Sequence, residues 1–213
     1  MKAKFYSNSL PIVNIKAKQV AQIICSYYGI QKQPSAFKRN DALSRAMGYK
    51  SHSDLVSQSK SNTAPISISP NYPQTEMEKF KDAVSKEFAS VFSDLKENEV
   101  RYALSRTLAM VVSVTDEENL LIEIVQQINT HLHDGVYDRF LIDLVGCTKE
   151  DNEEVLTCLL GFFCKLVVNP SLNENSIYFP LAREVVISDN NQLLVMINPE
   201  IYPLNRNVKI TVR

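Results

Sequence analysis

Ten of the chain's 23 lysines and arginines stand before Pro65, and only two of its 24 carboxylates, Asp41 and Asp54, stand with them. Those cations include Lys16, Lys18, Lys32, Lys38, Arg39, Arg45, Lys50 and Lys60, interspersed with Ser, Asn and Gln. Such a set suits polyphosphate chemistry, because cations displace the counterions condensed on phosphates while hydroxyl and amide groups bond the phosphate oxygens. Together with His52, placed to contact a base or a phosphate, these residues form a candidate nucleic-acid-binding set with DNA as the expected ligand. Five phosphate contacts among them would make log K fall against log salt with a slope of roughly −4.5. The same cations also suit a solvated surface or an acidic protein partner, since a field reports charge and not identity. For His52 the alternative is packing of its ring against a small core.

Catalytic chemistry finds little material. There is no glycine-rich phosphate loop, no GxSxG and no HExxH, and five glycines in 213 residues leave little for a phosphate cradle. Asp134, Asp138 and Asp143 are of a type that holds nuclease metals, but Asp138 and Asp143 read as flanking an ordinary amphipathic helix and Asp134 belongs to an Asp-Gly turn. His131, His133 and Cys147 lack the paired short spacing of zinc ligands. We expect no catalytic residue, no metal and no cofactor. The four cysteines form no CxxC pair and read as buried free thiols. No stretch approaches the roughly 18–20 apolar residues of a membrane span, and the first 18 residues lack a signal-peptide core. A cytoplasmic protein with no membrane partner is the expectation.

The elements that carry the cations read as three short helices. Ile15 to Tyr28 places Ala17, Ala21, Ile24 and Tyr28 on one face, and Gly29 is its stop. Ser35 caps a second helix whose apolar positions include Phe37, Ala42, Leu43, Ala46 and Met47, and Gly48 ends it. Ser51 caps a third with Leu55 and Val56. Residues 57–75 contain three prolines and five serines, a linker composition. The expected organisation is therefore a basic helical module at 1–60, a linker at 61–75 and an acidic domain at 76–213. Split at Pro65, the near-neutral total conceals about +8 before it and about −9 after it.

In the acidic part, Met77, Phe80, Val84, Phe88, Val91 and Leu95 recur at helical spacing, and Val100, Leu104, Leu108 and Val111 repeat the pattern. Thr115 to Glu118 forms a capping box before Leu120, Leu121, Ile124, Val125 and Ile128. Arg139 to Val145 reads as a short helix, and Thr148 caps another over Lys149 to Phe163, so the Gly-Cys-Thr between them suggests a helix-turn-helix. Lys165–Asn169, Ile177–Leu181, Glu184–Ser188 and Gln192–Asn198 are β-rich, with Asp189-Asn190-Asn191 as a hairpin turn. The fold class expected is mainly α with a small C-terminal antiparallel sheet, the helices and hairpin together making a winged helix. Glu150, Asp151, Glu153 and Glu154 crowd the first turn of the second motif helix, where they would repel phosphates, so this part is expected to mediate protein contacts or dimerisation.

The string ALSRAMGYKSHSDL, Ala42 to Leu55, resembles the small helical domain described as glyoxalase-related, in which a helix ends in Leu-Gly-Tyr ahead of a short basic turn, an aromatic and a Leu. The resemblance covers residues 15–60, and His52 stands where that family usually has Trp. It implies a compact helical module without glyoxalase chemistry. Residues 117–204 loosely resemble winged-helix domains of plasmid replication initiators, chiefly where Leu193 to Leu204 runs from a strand into Asn-Pro-Glu-Ile-Tyr-Pro-Leu. The two resemblances together imply a mobile-element or phage-defence setting. Two functions stay open: a non-enzymatic DNA-associated regulatory or accessory protein, or an adaptor or antitoxin-like subunit without direct DNA binding.

Overall fold

In the computed structural model, the described residues are 10–60, 74–113, 117–132, 137–145, 149–170, 179–188, 192–204 and 208–212. The chain divides into two compact units, Met1–Leu104 and Ser105–Arg213.

The N-terminal unit is helical: α1 (Leu10–Tyr28), α2 (Ala36–Ala46), α3 (His52–Ser59), α4 (Gln74–Ala89) and α5 (Glu97–Arg106), the last running into the unit boundary. Its stops and starts are chemical. Gly29 adopts φ +66°, and the Ile30 N–H reaches back 2.8 Å to the Cys25 carbonyl. Gly48 adopts φ +88°, with the Gly48 N–H donating to the Arg45 carbonyl and the Tyr49 N–H to the Ser44 carbonyl. Both are left-handed closures that orphaned helix carbonyls favour and that a Cβ would strain. Ser35 accepts from the Lys38 N–H, and Ser51 accepts from the Asp54 N–H at 3.1 Å, which are the two caps expected.

What the linker composition conceals is where α4 packs. Val84, Phe88, Phe92 and Val100 join Val13, Ala17, Ala21, Ile24, Cys25, Ala42 and Leu43 in one core. Polar ties reinforce the join. Arg45 of α2 bonds Glu87 of α4 at 2.6 Å and also pairs with Asp41, while Tyr28 donates to the Glu99 carbonyl at 2.8 Å. Arg101 of α5 pairs with Asp82 and Glu78 of α4, and the hydrogen bond and charge of Lys81, then Arg101, hold the Glu78 carboxyl below its ordinary 4.5. Helices assigned to the acidic domain thus belong with the basic module, because three short helices alone leave an apolar face that α4 covers. The charge division persists across the new boundary. Residues 1–104 hold fifteen cations against nine carboxylates, and residues 105–213 hold eight against fifteen.

The C-terminal unit is a strand–helix alternation: β1 (Thr107–Ser113), α6 (Glu117–Leu132), β2 (Arg139–Val145), α7 (Lys149–Lys165), β3 (Leu166–Pro170), β4 (Phe179–Pro180), β5 (Ala182–Ile187), β6 (Leu193–Ile197), a 3-10 turn at Pro199–Leu204, and β7 (Val208–Val212). One sheet has the order β1-β2-β6-β5 and a second the order β4-β3-β7. β1 and β2 run parallel, in register from Thr107↔Arg139 to Ser113↔Val145, and the other pairings are antiparallel.

Three expectations are corrected here. Arg139–Val145 is a strand, so the helix-turn-helix is not formed, and the helical pattern from Val100 breaks after Arg106 into β1. The main sheet is also mixed rather than antiparallel. The reason lies in short apolar runs: seven residues such as RFLIDLV fit either a buried helix turn or a buried parallel strand, and pairing decides. Leu108, Met110 and Val112 alternate inward on β1, Phe140, Ile142 and Leu144 on β2, and Leu193, Val195 and Ile197 on β6. Leu120, Ile124 and Ile128 of α6 and Val155, Leu156, Leu159 and Phe163 of α7 complete this core. The expected β5–β6 hairpin pairing is present, with the Ser188 N–H donating to the Gln192 carbonyl at 2.7 Å. Its Asp189-Asn190-Asn191 turn, Thr115, Thr148 and Cys147 lie outside the described residues.

The cysteines divide by environment. Cys25 is buried in the N-terminal core, and burial pushes its thiol up to about 11. Cys158 and Cys164, expected to be buried, are exposed because they fall off the α7 stripe formed by Val155, Leu156, Leu159 and Phe163. At pH 8 a thiol-reactive probe is expected to label Cys158 and Cys164 in the native protein, while Cys25, at about 0.1% thiolate, reacts only after denaturation. Peptide mapping of the labelled sites reads this, and native labelling of Cys25 would contradict its packing.

Candidate nucleic-acid interface

The nine singled-out residues separate into anchors and free cations. Arg45, Arg39 and His52 are anchors. The Arg45 guanidinium is held by Asp41 and Glu87, joining α2 to α4. Arg39 is half-buried and donates to the Pro34 carbonyl at 3.5 Å, bracing the turn into α2. The His52 ring lies 3.2 Å from the Ser44 hydroxyl, whose own proton goes to the Asn40 carbonyl at 2.8 Å. With that proton committed, the hydroxyl oxygen is the acceptor and Nδ1–H the donor. The His52 N–H is taken by Asp41 at 2.9 Å, so Asp41 serves α2 and α3 together. In this packing the imidazole links helices where an apolar ring was the expected alternative to a nucleic-acid contact.

Lys16, Lys18, Lys32, Lys38, Lys50 and Lys60 are exposed, and among the described residues none of their side chains forms a salt bridge or hydrogen bond. They do not all converge. Lys16 and Lys18 are two residues apart on α1 and point about 160° away from each other. Lys18 lies one turn from Asn14, which accepts from Asn40 of α2 at 2.8 Å, whereas Lys16 lies one turn from Ile12. Lys32 and Lys38 flank the start of α2, and Lys50 and Lys60 flank α3.

No protein-family model matches the chain, and no curated protein or solved structure is significantly similar to it. The candidate site is defined by its own geometry.

That geometry adds a residue that the apolar pattern had assigned to the core. Phe37 is 73% exposed. The helical wheel carries the missed signal: Phe37 lies five residues before Ala42 and six before Leu43, about 140° and 120° from the buried stripe. Ile12 and Ile15 of α1 are also about half-exposed. Tyr49, by contrast, is buried, and Tyr27 packs edge-on against Tyr28 and Tyr102, which makes these rings part of the fold rather than a stacking surface.

In the C-terminal unit the candidate metal groups do not assemble. Asp138 lies 3.4 Å from Arg106, Asp143 is half-buried within β2, and among the described residues no cluster of three His, Cys, Asp or Glu is placed to hold a metal ion. Asp134, the His131 side chain and His133 fall outside the described residues. Glu153 and Glu154 are exposed on α7. No described helix is long and apolar enough to cross a membrane.

Proposed function

We propose that this chain is a non-enzymatic, DNA-associated regulatory or accessory protein whose N-terminal unit contacts the nucleic acid and whose acidic C-terminal unit makes protein contacts. One observation carries the reading: six lysines of the N-terminal unit are exposed and, among the described residues, have no ionic partner, while its arginines at 39, 45 and 101 are engaged with carbonyl or carboxylate oxygens. Surface cations not spent on the fold are those able to replace phosphate counterions. The assembly role expected of a winged helix passes to a mixed α/β unit. A mobile-element or phage-defence setting stays part of the proposal on the strength of the two sequence resemblances.

A mobility-shift titration of the full chain against duplex DNA across salt tests this. With Lys16 pointing away, contacts from Lys18, Lys32, Lys38, Lys50 and Lys60 give an expected slope near −4.5. Each Lys→Gln change among the five is expected to flatten it by about 0.9. An Arg45→Gln change should instead lower thermal stability, because it strands Asp41 and Glu87. Absence of binding at low salt sinks the reading.

A second reading is the adaptor or antitoxin-like subunit without direct DNA binding. It draws on the acidic excess of residues 105–213 and on β5, an edge strand of its sheet with Val186 and Ile187 exposed. A stable complex with a co-encoded protein, formed by a chain that shows no DNA binding, is its test.

A further inference from the structure

We infer that the surface shared by α1 and α2 is a single-stranded nucleic-acid platform, with Phe37 as the ring on which an unpaired base stacks. This rests on the nucleic-acid reading above and assigns its ligand class.

The Asn14–Asn40 hydrogen bond pins α1 beside α2. One turn from Asn40 along α2 is Phe37, and one turn from Asn14 along α1 is Lys18. Phe37 is the most exposed large apolar side chain among the described residues, at 73%, and an aromatic ring left in water on a helix contributes nothing to its own core. Lys18, Lys32 and Lys38 are exposed and, among the described residues, unpaired, with Lys38 about 100° around α2 from Phe37. A ring for the π-face of a base, lysines for the backbone, and two amide side chains between them form the combination that binds single strands without sequence preference. A duplex offers the lysines the same phosphates but hides its base faces, so Phe37 distinguishes the two ligands. An acidic amphipathic peptide is the competing occupant, but it would ordinarily cover several apolar side chains at helical spacing. Ile12 and Ile15 make such a pair on α1, but they lie about 160° and 100° around that helix from Asn14, so beside the Asn14–Asn40 contact the exposed apolar group among the described residues is the Phe37 ring, with amides and lysines around it.

The test exploits a gap in composition: the chain has no tryptophan. Phe37→Trp in the full chain introduces one indole at the proposed stacking position. Its fluorescence is expected to be quenched by oligothymidylate and not by a duplex of equal length, since stacking quenches an indole that phosphate contact leaves alone. In mobility shifts, Phe37→Ala is expected to weaken oligothymidylate binding ten-fold or more and duplex binding less than two-fold, with Phe37→Trp restoring the single-strand affinity. Circular dichroism confirms folding, which the exposure of residue 37 leaves undisturbed. Equal losses on single strand and duplex, or none on either, would overturn the stacking assignment and leave the DNA reading standing. No binding to either nucleic acid would overturn both. Displacement of oligothymidylate by polyglutamate, with Phe37→Ala weakening the polyglutamate instead, would hand the surface to an acidic protein and overturn the assignment.

Discussion

A chain cut after Ala64 is expected to be largely unfolded, while a chain cut after Arg106 melts cooperatively. The shorter fragment keeps every residue of the basic module as its sequence defines it, yet it loses Val84, Phe88, Phe92 and Val100 from the core that α1 and α2 share with α4 and α5. At about 1.5–3 kcal/mol for each buried side chain, that removes roughly 6–12 kcal/mol of burial. A small domain's whole stability is about 5–15 kcal/mol. The cut also strands Arg45 without Glu87 and Tyr28 without the Glu99 carbonyl. Far-ultraviolet circular dichroism and thermal melts of the two fragments decide the matter. A cooperative, fully helical 1–64 fragment would show that α4 is an accessory and not part of the core. The same result governs binding work, because a failure of residues 1–64 to bind DNA would report their unfolding and not their chemistry.

The second large effect belongs to Ile142. Ile142→Ala is expected to destabilise the C-terminal unit by about 2–5 kcal/mol, the range for emptying a fully buried aliphatic site. Ile142 alternates with Phe140 and Leu144 on β2 and is completely buried between β1 and β6. On a helix over the same residues, Phe140, Leu141 and Leu144 would line the inner face and Ile142 would turn toward solvent, where the change would cost little. Urea unfolding of the full chain, followed by probes assigned to each unit, separates the outcomes. A cost below about 1 kcal/mol would remove Ile142 from the interior and the parallel β1–β2 pair with it.

Legibility followed the range of the forces involved. Ser35, Ser51, Gly29 and Gly48 were readable because a cap or a left-handed stop is local: a side-chain oxygen meets a backbone N–H three residues on, or a missing Cβ permits φ above zero, wherever the helix packs. The charge division was readable because it is a property of composition, and it persists although the unit boundary falls at Leu104 rather than within residues 61–75. Two features required the folded chain. Whether RFLIDLV coils or extends depends on partners at 107–113 and 193–197, far away in sequence, since a seven-residue apolar run suits either conformation until hydrogen bonds to another strand choose. Which cations are available depends on tertiary neighbours as well. Arg45 and Lys38 look equivalent along the chain, but only Arg45 meets a carboxylate on α4, and packing leaves Lys38 facing water. The sequence alone determined caps, stops and net field; tertiary structure decided strand against helix, the extent of each unit and the cations left for a ligand, because those depend on contacts between residues far apart in the chain.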